Sequence, residues 1–279
     1  MASSRFPAAV TLLGVVGLLA ASCSAGAADA GDNDAPFAGD TIEATIQYDW
    51  APLAYRDNAG EPAGMYIDLL DAVAVELDAA IEWNETTFAQ VIPGVQSGKY
   101  DIGVGADATS ERQQVVDVVS TQQAGHAFLT RAEDGLEVDD ELAELCGATV
   151  AVLAGQSTVP VLEERSEECV ADGADAIELA TFPDQASAQL AVQSGRADVA
   201  TAYRAFIQQA VKVEPDLAAT GPAITSGFSG MTFAKGSGQA EAFAEALDAV
   251  IASGRYGEIL AEHDLTEVAV DEARVNPAE

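Results

Sequence analysis

Apolar positions along this chain switch repeatedly between the spacing of a strand and that of a helix. Ile42 to Gln47 is a strand-length run, and Ile81-Glu82-Trp83 is another. Between them, Ile67, Leu70, Ala74 and Leu77 share one face at helical spacing. The stretch from Thr87 to Arg112 repeats the alternation. Phe88, Val91, Ile92 and Val95 form one helical face, Thr87 with Gln90 reads as a capping box, and Gly98 is a stop. Tyr100 to Gly105 then reads as a buried strand whose glycines leave the backbone bare at its end. Thr109 opens a further short helix with Arg112 in its first turn. Later, Val150 to Leu153 is a strand running into a helix start at Gly155-Gln156-Ser157-Thr158, and Phe228 to Ala234 is another strand. Phe243, Leu247, Val250 and Ile251 line a helix that stops at Gly254, and the acidic tail after Leu265 is expected to fray.

The helix-to-strand passage occurs twice. Val95-Gln96-Ser97-Gly98-Lys99-Tyr100-Asp101 returns as Val192-Gln193-Ser194-Gly195-Arg196-Ala197-Asp198. Two such units far apart predict an α/β fold of two similar lobes. Asp101 and Asp198 are read as strand-entry residues rather than ligands. The segment ending at Arg112 carries free backbone N–H groups and a guanidinium to the carboxyl end of a strand, the place where open α/β sheets take ligands, and it favours an anion.

Charge narrows the field. The 279 residues hold 12 Lys and Arg against 46 Asp and Glu, for a net charge of −34. That argues against nucleic acid as a partner. It reads either as a solvated surface or as adaptation to high salt. The two histidines, His126 and His263, stand apart without clustered metal ligands, so neither a metal site nor a cofactor is expected. There is also no nucleophile elbow, no Ser–His–Asp set and no phosphate-cradling glycine loop.

Val91-Ile92-Pro93, Ser97-Gly98-Lys99-Tyr100-Asp101 and Thr109-Ser110-Glu111-Arg112 together resemble the pattern "L-I-P-x-L-x-S-G-K-x-D … T-x-E-R" of the family 3 solute-binding proteins. These are receptors of ABC importers for amino acids and related compounds. The resemblance runs from about Ile42 to Leu265. It implies a two-lobed periplasmic-binding-protein fold of type II, a hinged clamp with the ligand in the inter-lobe cleft. On that reading, residues 41–124 and 227–279 build lobe one with its C-terminal tail, and residues 125–226 build lobe two. The Arg of T-x-E-R grips the ligand carboxylate in the family, so the resemblance gives that role to Arg112, with Gly105 and Thr109 beside it. Gln47 to Leu53 matches the family's ligand loop, with Trp50 at an aromatic position and Gln47 where an acidic residue is common. Ser157 keeps the hydroxyl of the family's lobe-two loop and could equally be a plain helix cap, while Gln156 departs from the pattern.

The cation half of the expected site departs further. The family usually pairs the ligand's α-ammonium with an Asp after the second S-G-R-x-D strand, and Tyr203 stands there by count. Asp107, placed in the loop before Thr109, is the remaining acidic candidate, or simply an ion-pair partner of Arg112. Trp50, Phe88 and Tyr203 make an aromatic set that suits a delocalised cation. The resemblance therefore implies a non-enzymatic receptor for a small carboxylate-bearing solute. The solute is a betaine- or ectoine-like zwitterion, an amino acid or another organic anion. An enzyme like cyclohexadienyl dehydratase on the same fold is the alternative, with Glu111 its only evident acid. The sensor domain of a signalling protein is the third reading, which would need a membrane span and a cytoplasmic domain after the lobes.

Residues 1–22 read as a signal peptide and residues 23–40 as a flexible tether. Leu19-Ala20-Ala21-Ser22-Cys23 resembles a lipobox, which implies a lipid on Cys23 and anchoring to the outer face of the cytoplasmic membrane. An ordinary signal peptide is the other reading. A monomer serving an ABC permease is expected. With Cys23 lipidated, Cys146 and Cys169 remain as a pair that an exported protein would join, or else keep as buried thiols.

Overall fold

The structure is a computed structural model and describes residues 36–37, 39–225 and 227–277. The expectations for the signal peptide, for Cys23 and for most of the tether lie outside those residues. The chain opens with β1 (Thr41–Ile46), a small three-stranded sheet of β2 (Asp49–Trp50), β3 (Ala54–Arg56) and β4 (Pro62–Ala63), then α1 (Met65–Glu76) and β5 (Ala80–Glu85). It continues through α2 (Phe88–Gln96), β6 (Ile102–Asp107), α3 (Ser110–Gln113) and β7 (Val116–Gln123). After Ala124 and Gly125 it enters β8 (His126–Arg131), and follows with β9 (Thr149–Leu153), α4 (Thr158–Ala171) and β10 (Glu178–Phe182). Next come α5 (Gln185–Gln193), β11 (Val199–Tyr203), α6 (Arg204–Val213) and β12 (Leu217–Thr220). It then returns as β13 (Phe228–Ala234) and closes with α7 (Gln239–Ser253) and α8 (Arg255–Glu262).

Two five-stranded mixed sheets result among the described residues. Lobe one has the order β5-β1-β6-β13-β7 and lobe two the order β10-β9-β11-β8-β12. In each, the early strands run parallel and the crossing strands antiparallel, so β7–β8 and β12–β13 are the two covalent links between lobes. This is the two-lobed type II fold. Lobe one buries a large cluster under α1, α7 and α8. Lobe two has a cluster on either face of its sheet.

The repeated segment shows why the lobes look alike. Gly98 and Gly195 end α2 and α5 with φ of +68° and +70°, a backbone that favours glycine. Three residues on, the Asp101 carboxylate accepts the Glu43 N–H at 2.9 Å, and the Asp198 carboxylate accepts the Thr149 N–H at 2.8 Å. Each aspartate also gives its own N–H to the carbonyl of the same partner. Both therefore pin the neighbouring parallel strand at its start and face away from the cleft chemistry.

Cys146 and Cys169 form a disulfide with Cα atoms 5.6 Å apart. Cys169 lies inside α4, which runs on to Ala171. The tail also differs from expectation. Val275 bridges to Val119, Asn276 N–H donates to the Val118 carbonyl at 2.7 Å, and the Asn276 side chain accepts the Val118 N–H at 3.0 Å. Asn276 also donates to Asp117, so the acidic tail is strapped alongside β7 instead of fraying.

Candidate functional site

The carboxyl ends of β1, β6, β9 and β11 and the amino end of β8 meet between the lobes. Asp107 ends β6; it is a buried strand residue, not a loop residue. Its carboxylate accepts hydrogen bonds from the hydroxyls of Tyr203, the last residue of β11, and of Ser157, before α4. Both donors come from lobe two, so the contact closes the cleft. Tyr203 OH also lies 2.9 Å from Ser229 Oγ and 3.4 Å from the Gly105 carbonyl. Burial, reinforced by the Asp107 charge, pushes the Tyr203 phenol well above its usual pKa, so it keeps the proton it donates. Ser157 spends its hydroxyl on Asp107 and makes no cap bond to α4.

Arg112 does not pair with the Asp107 side chain. Its Nη1 donates to the Asp107 carbonyl at 3.2 Å and its Nη2 to the Gly155 carbonyl of lobe two at 2.8 Å, while the guanidinium lies 5.5 Å from the centre of the Phe88 ring. Thr109 Oγ1 accepts the Arg112 N–H at 3.3 Å and so caps α3. The fork is thus aimed by main-chain carbonyls from both lobes, and its charge is left without a carboxylate partner among the described residues.

Three rings gather as the sequence placed them. Trp50 packs 5.3 Å from Phe88 and 6.0 Å, edge-on, from Tyr203, measured between ring centres. Gly105 makes room for them. Its φ is +81°, and a Cβ there would stand 2.5 Å from the Trp50 ring. Gln47 does not replace a ligand-facing carboxylate. Its Oε1 accepts the Phe88 N–H at 2.9 Å and caps α2, the duty that Thr87 had been expected to perform, and its Nε2 donates to Asp49. Gln156 accepts from Thr201 Oγ1 at 2.7 Å and stays within lobe two.

Three residues at the cleft went unassigned in the sequence. Asp49 accepts the backbone N–H groups of Gln185 and Ala186 at 2.5 and 3.1 Å, so a lobe-one carboxylate sits on the amino end of α5. Burial raises its pKa, against the pull of those bonds and of Gln47. The only sequence signal was its place beside Trp50. Gln185 donates from Nε2 to the Thr201 carbonyl at 3.2 Å. His126 stacks on Tyr203 with ring centres 4.1 Å apart, and an apolar neighbourhood gave no hint of it. Glu111, by contrast, lies on the rim with Arg112.

With these contacts made, the pocket enclosed by Trp50, Phe88, Asp107, His126 and Tyr203 has about 10 Å³ of free volume, near the least that one water needs. Outside the Asp107–Ser157 contact lies a cavity of about 890 Å³ lined by Arg112, Thr109, Ile92, Val159 and Phe228. Among the described residues no His, Cys, Asp and Glu cluster could hold a metal, and no helix is long and apolar enough to cross a membrane.

The model of the bacterial extracellular solute-binding proteins, family 3, matches residues 42–264. An arginine-binding protein of Corynebacterium glutamicum is 29% identical over 230 residues, covering 81% of this chain and 74% of that protein. An L-arginine-binding protein of Pseudomonas aeruginosa is 26% identical over 224 residues, covering 77% and 84% of the two chains. Among solved structures, an ancestral arginine-binding protein bound to arginine is similar in fold. Its TM-score is 0.71 at 24% identity, over 80% of this chain and 97% of that one.

Proposed function

The chain belongs to the bacterial extracellular solute-binding proteins, family 3, and on that footing we propose that it is the receptor of an ABC importer for a zwitterionic, amino-acid-type solute. The solute's carboxylate takes the bidentate fork of Arg112. Its cationic group takes Asp107, between the faces of Trp50, Phe88 and Tyr203. The observation that carries this reading is the buried Asp107 carboxylate beside the three rings, across the cleft mouth from an uncompensated Arg112. It replaces the counter-ion that Tyr203 displaces from its customary place in the family. An ordinary α-ammonium then has a partner, which agrees with relatives named for binding arginine. The rings favour a second reading, a methylated or delocalised cation of the betaine or ectoine kind. In either case the receptor works outside the cytoplasm as a monomer, held to the membrane through a lipid on Cys23, and hands its solute to the permease.

The enzyme reading needs a general acid that donates to substrate. Asp107 instead accepts from two hydroxyls, and Glu111 sits on the rim. A thermal-shift series tests the proposal with L-arginine, other amino acids, glycine betaine, ectoine and a dicarboxylate. A ligand that binds only the folded chain raises the melting temperature by mass action. A zwitterion is expected to give the largest shift. A shift from the dicarboxylate alone would remove Asp107 from the ligand's cationic end and overturn the reading.

A further inference from the structure

His126 is a buried titratable group that the binding scheme leaves unused. It opens β8, separated from the end of β7 by Ala124 and Gly125, at the crossing into lobe two. Its ring lies against Tyr203, and its Nδ1 is 3.6 Å from an Asp107 carboxylate oxygen. Thr225, on the segment returning to lobe one, is 2.8 Å from the same Nδ1 and accepts the His126 backbone N–H at 3.0 Å. The imidazole is thus fixed by both links between the lobes. The ionisable groups facing it are Asp107 from β6, Arg112 from α3 and Tyr203 from β11.

We infer that His126 is a specificity-determining residue that competes with the solute's cationic group for the Asp107 carboxylate. As neutral imidazole it leaves the carboxylate to the ligand. As imidazolium it takes the carboxylate itself, because one buried anion cannot serve two adjacent cations without leaving net charge desolvated. This rests on the reading that Asp107 meets the ligand's cation.

The direction of the linkage follows. Burial pushes the imidazole below its usual pKa of 6.5; the Asp107 charge opposes that and Arg112 reinforces it. A cationic ligand on Asp107 lowers it further. Binding then releases a proton wherever the imidazolium is populated, so affinity rises with pH up to the point where His126 is neutral and is flat above it. A ligand with a carboxylate and no cation gains no such advantage from deprotonation.

Two measurements decide the matter. The first needs no ligand. The full chain with ¹³C-labelled histidine is titrated by NMR, with His263→Gln assigning the two imidazoles, in otherwise parent protein and in Asp107→Asn. The His126 midpoint is expected to fall in Asp107→Asn, because the stabilising charge is gone. An unchanged midpoint overturns the coupling. The second is calorimetric titration with L-arginine and with glycine betaine from about pH 5 to about pH 8, in the parent and in His126→Gln, with His126→Asn as the second variant should Gln fail to fold. The parent is expected to weaken up to about tenfold per pH unit below the His126 midpoint, and the variant to stay flat. Equal slopes in both overturn the inference. If neither probe binds the parent at any pH, the zwitterion reading falls, while the NMR titration still decides whether His126 and Asp107 share a charge.

Discussion

Arg112 and Asp107 illustrate how differently two charged residues can be read. Arg112 was legible as a candidate because its motif fixes it on the first turn after a strand end, whereas its hydrogen bond to Gly155 of the other lobe was not. Removing the fork should leave a ligand carboxylate desolvated, costing roughly 2–5 kcal/mol of binding. Calorimetry of Arg112→Ala and Arg112→Lys checks this, with Lys expected to recover only part. An Ala variant that binds like the parent would take Arg112 out of the site. Asp107 was legible only as a nearby acid, because its partners come from the other lobe. No local pattern announces that a strand-end carboxylate will receive hydroxyls from Tyr203 and Ser157, residues 96 and 50 positions away. His126 was hidden for the same reason, its neighbours Tyr203 and Thr225 being distant in sequence.

At the scale of elements, periodicity and glycine stops located most helices and strands, and the duplicated S-G-x-x-D segment carried its geometry with it. The misreadings were at the ends. Helix α2 was assigned a capping box from its own Thr87, whereas the cap arrives from Gln47 at the end of β1. A local signal cannot compete with a side chain that tertiary structure holds in place. Gln47→Ala should therefore uncap α2, at a cost of about 1 kcal/mol. The expected drop is read as a lower urea midpoint without a change in slope, while Thr87→Val should leave the midpoint nearly unmoved. The Cys146–Cys169 bridge joins residues 23 apart in sequence. Its reduction should cost about 3 kcal/mol by the chain-entropy argument. Melting with and without reductant, on parent and on Cys146→Ala/Cys169→Ala, gives that figure directly.

For the molecule as a whole, the sequence conveyed the two lobes through its internal echo but not the state in which they meet. Closure here is held by contacts that pair lobe-one side chains with lobe two, among them Asp107 with Tyr203 and Ser157, Ser229 with Tyr203, Arg112 with Gly155, Asp49 with the start of α5, and Asp264 with Lys212. A net charge of −34 works against that compactness everywhere. Raising sodium chloride from about 0.05 M to about 0.5 M shortens the Debye length severalfold. The melting temperature should rise accordingly, and a melting temperature that falls would show the acidic surface to be arranged in stabilising pairs instead.

The tail after α8 has a consequence for life in a crowded compartment. Strand β7 is the outermost strand of its sheet, and an uncovered rim of main-chain donors and acceptors is a template for another chain. Arg274, Val275 and Asn276 occupy that rim between Val118 and Ser120. They act as a selvedge that stops the sheet from being extended by a neighbour. Deleting residues 274–279 should leave solute binding largely intact and turn the chain self-adhesive. Sedimentation velocity would then find concentration-dependent dimers where the parent sediments as one species.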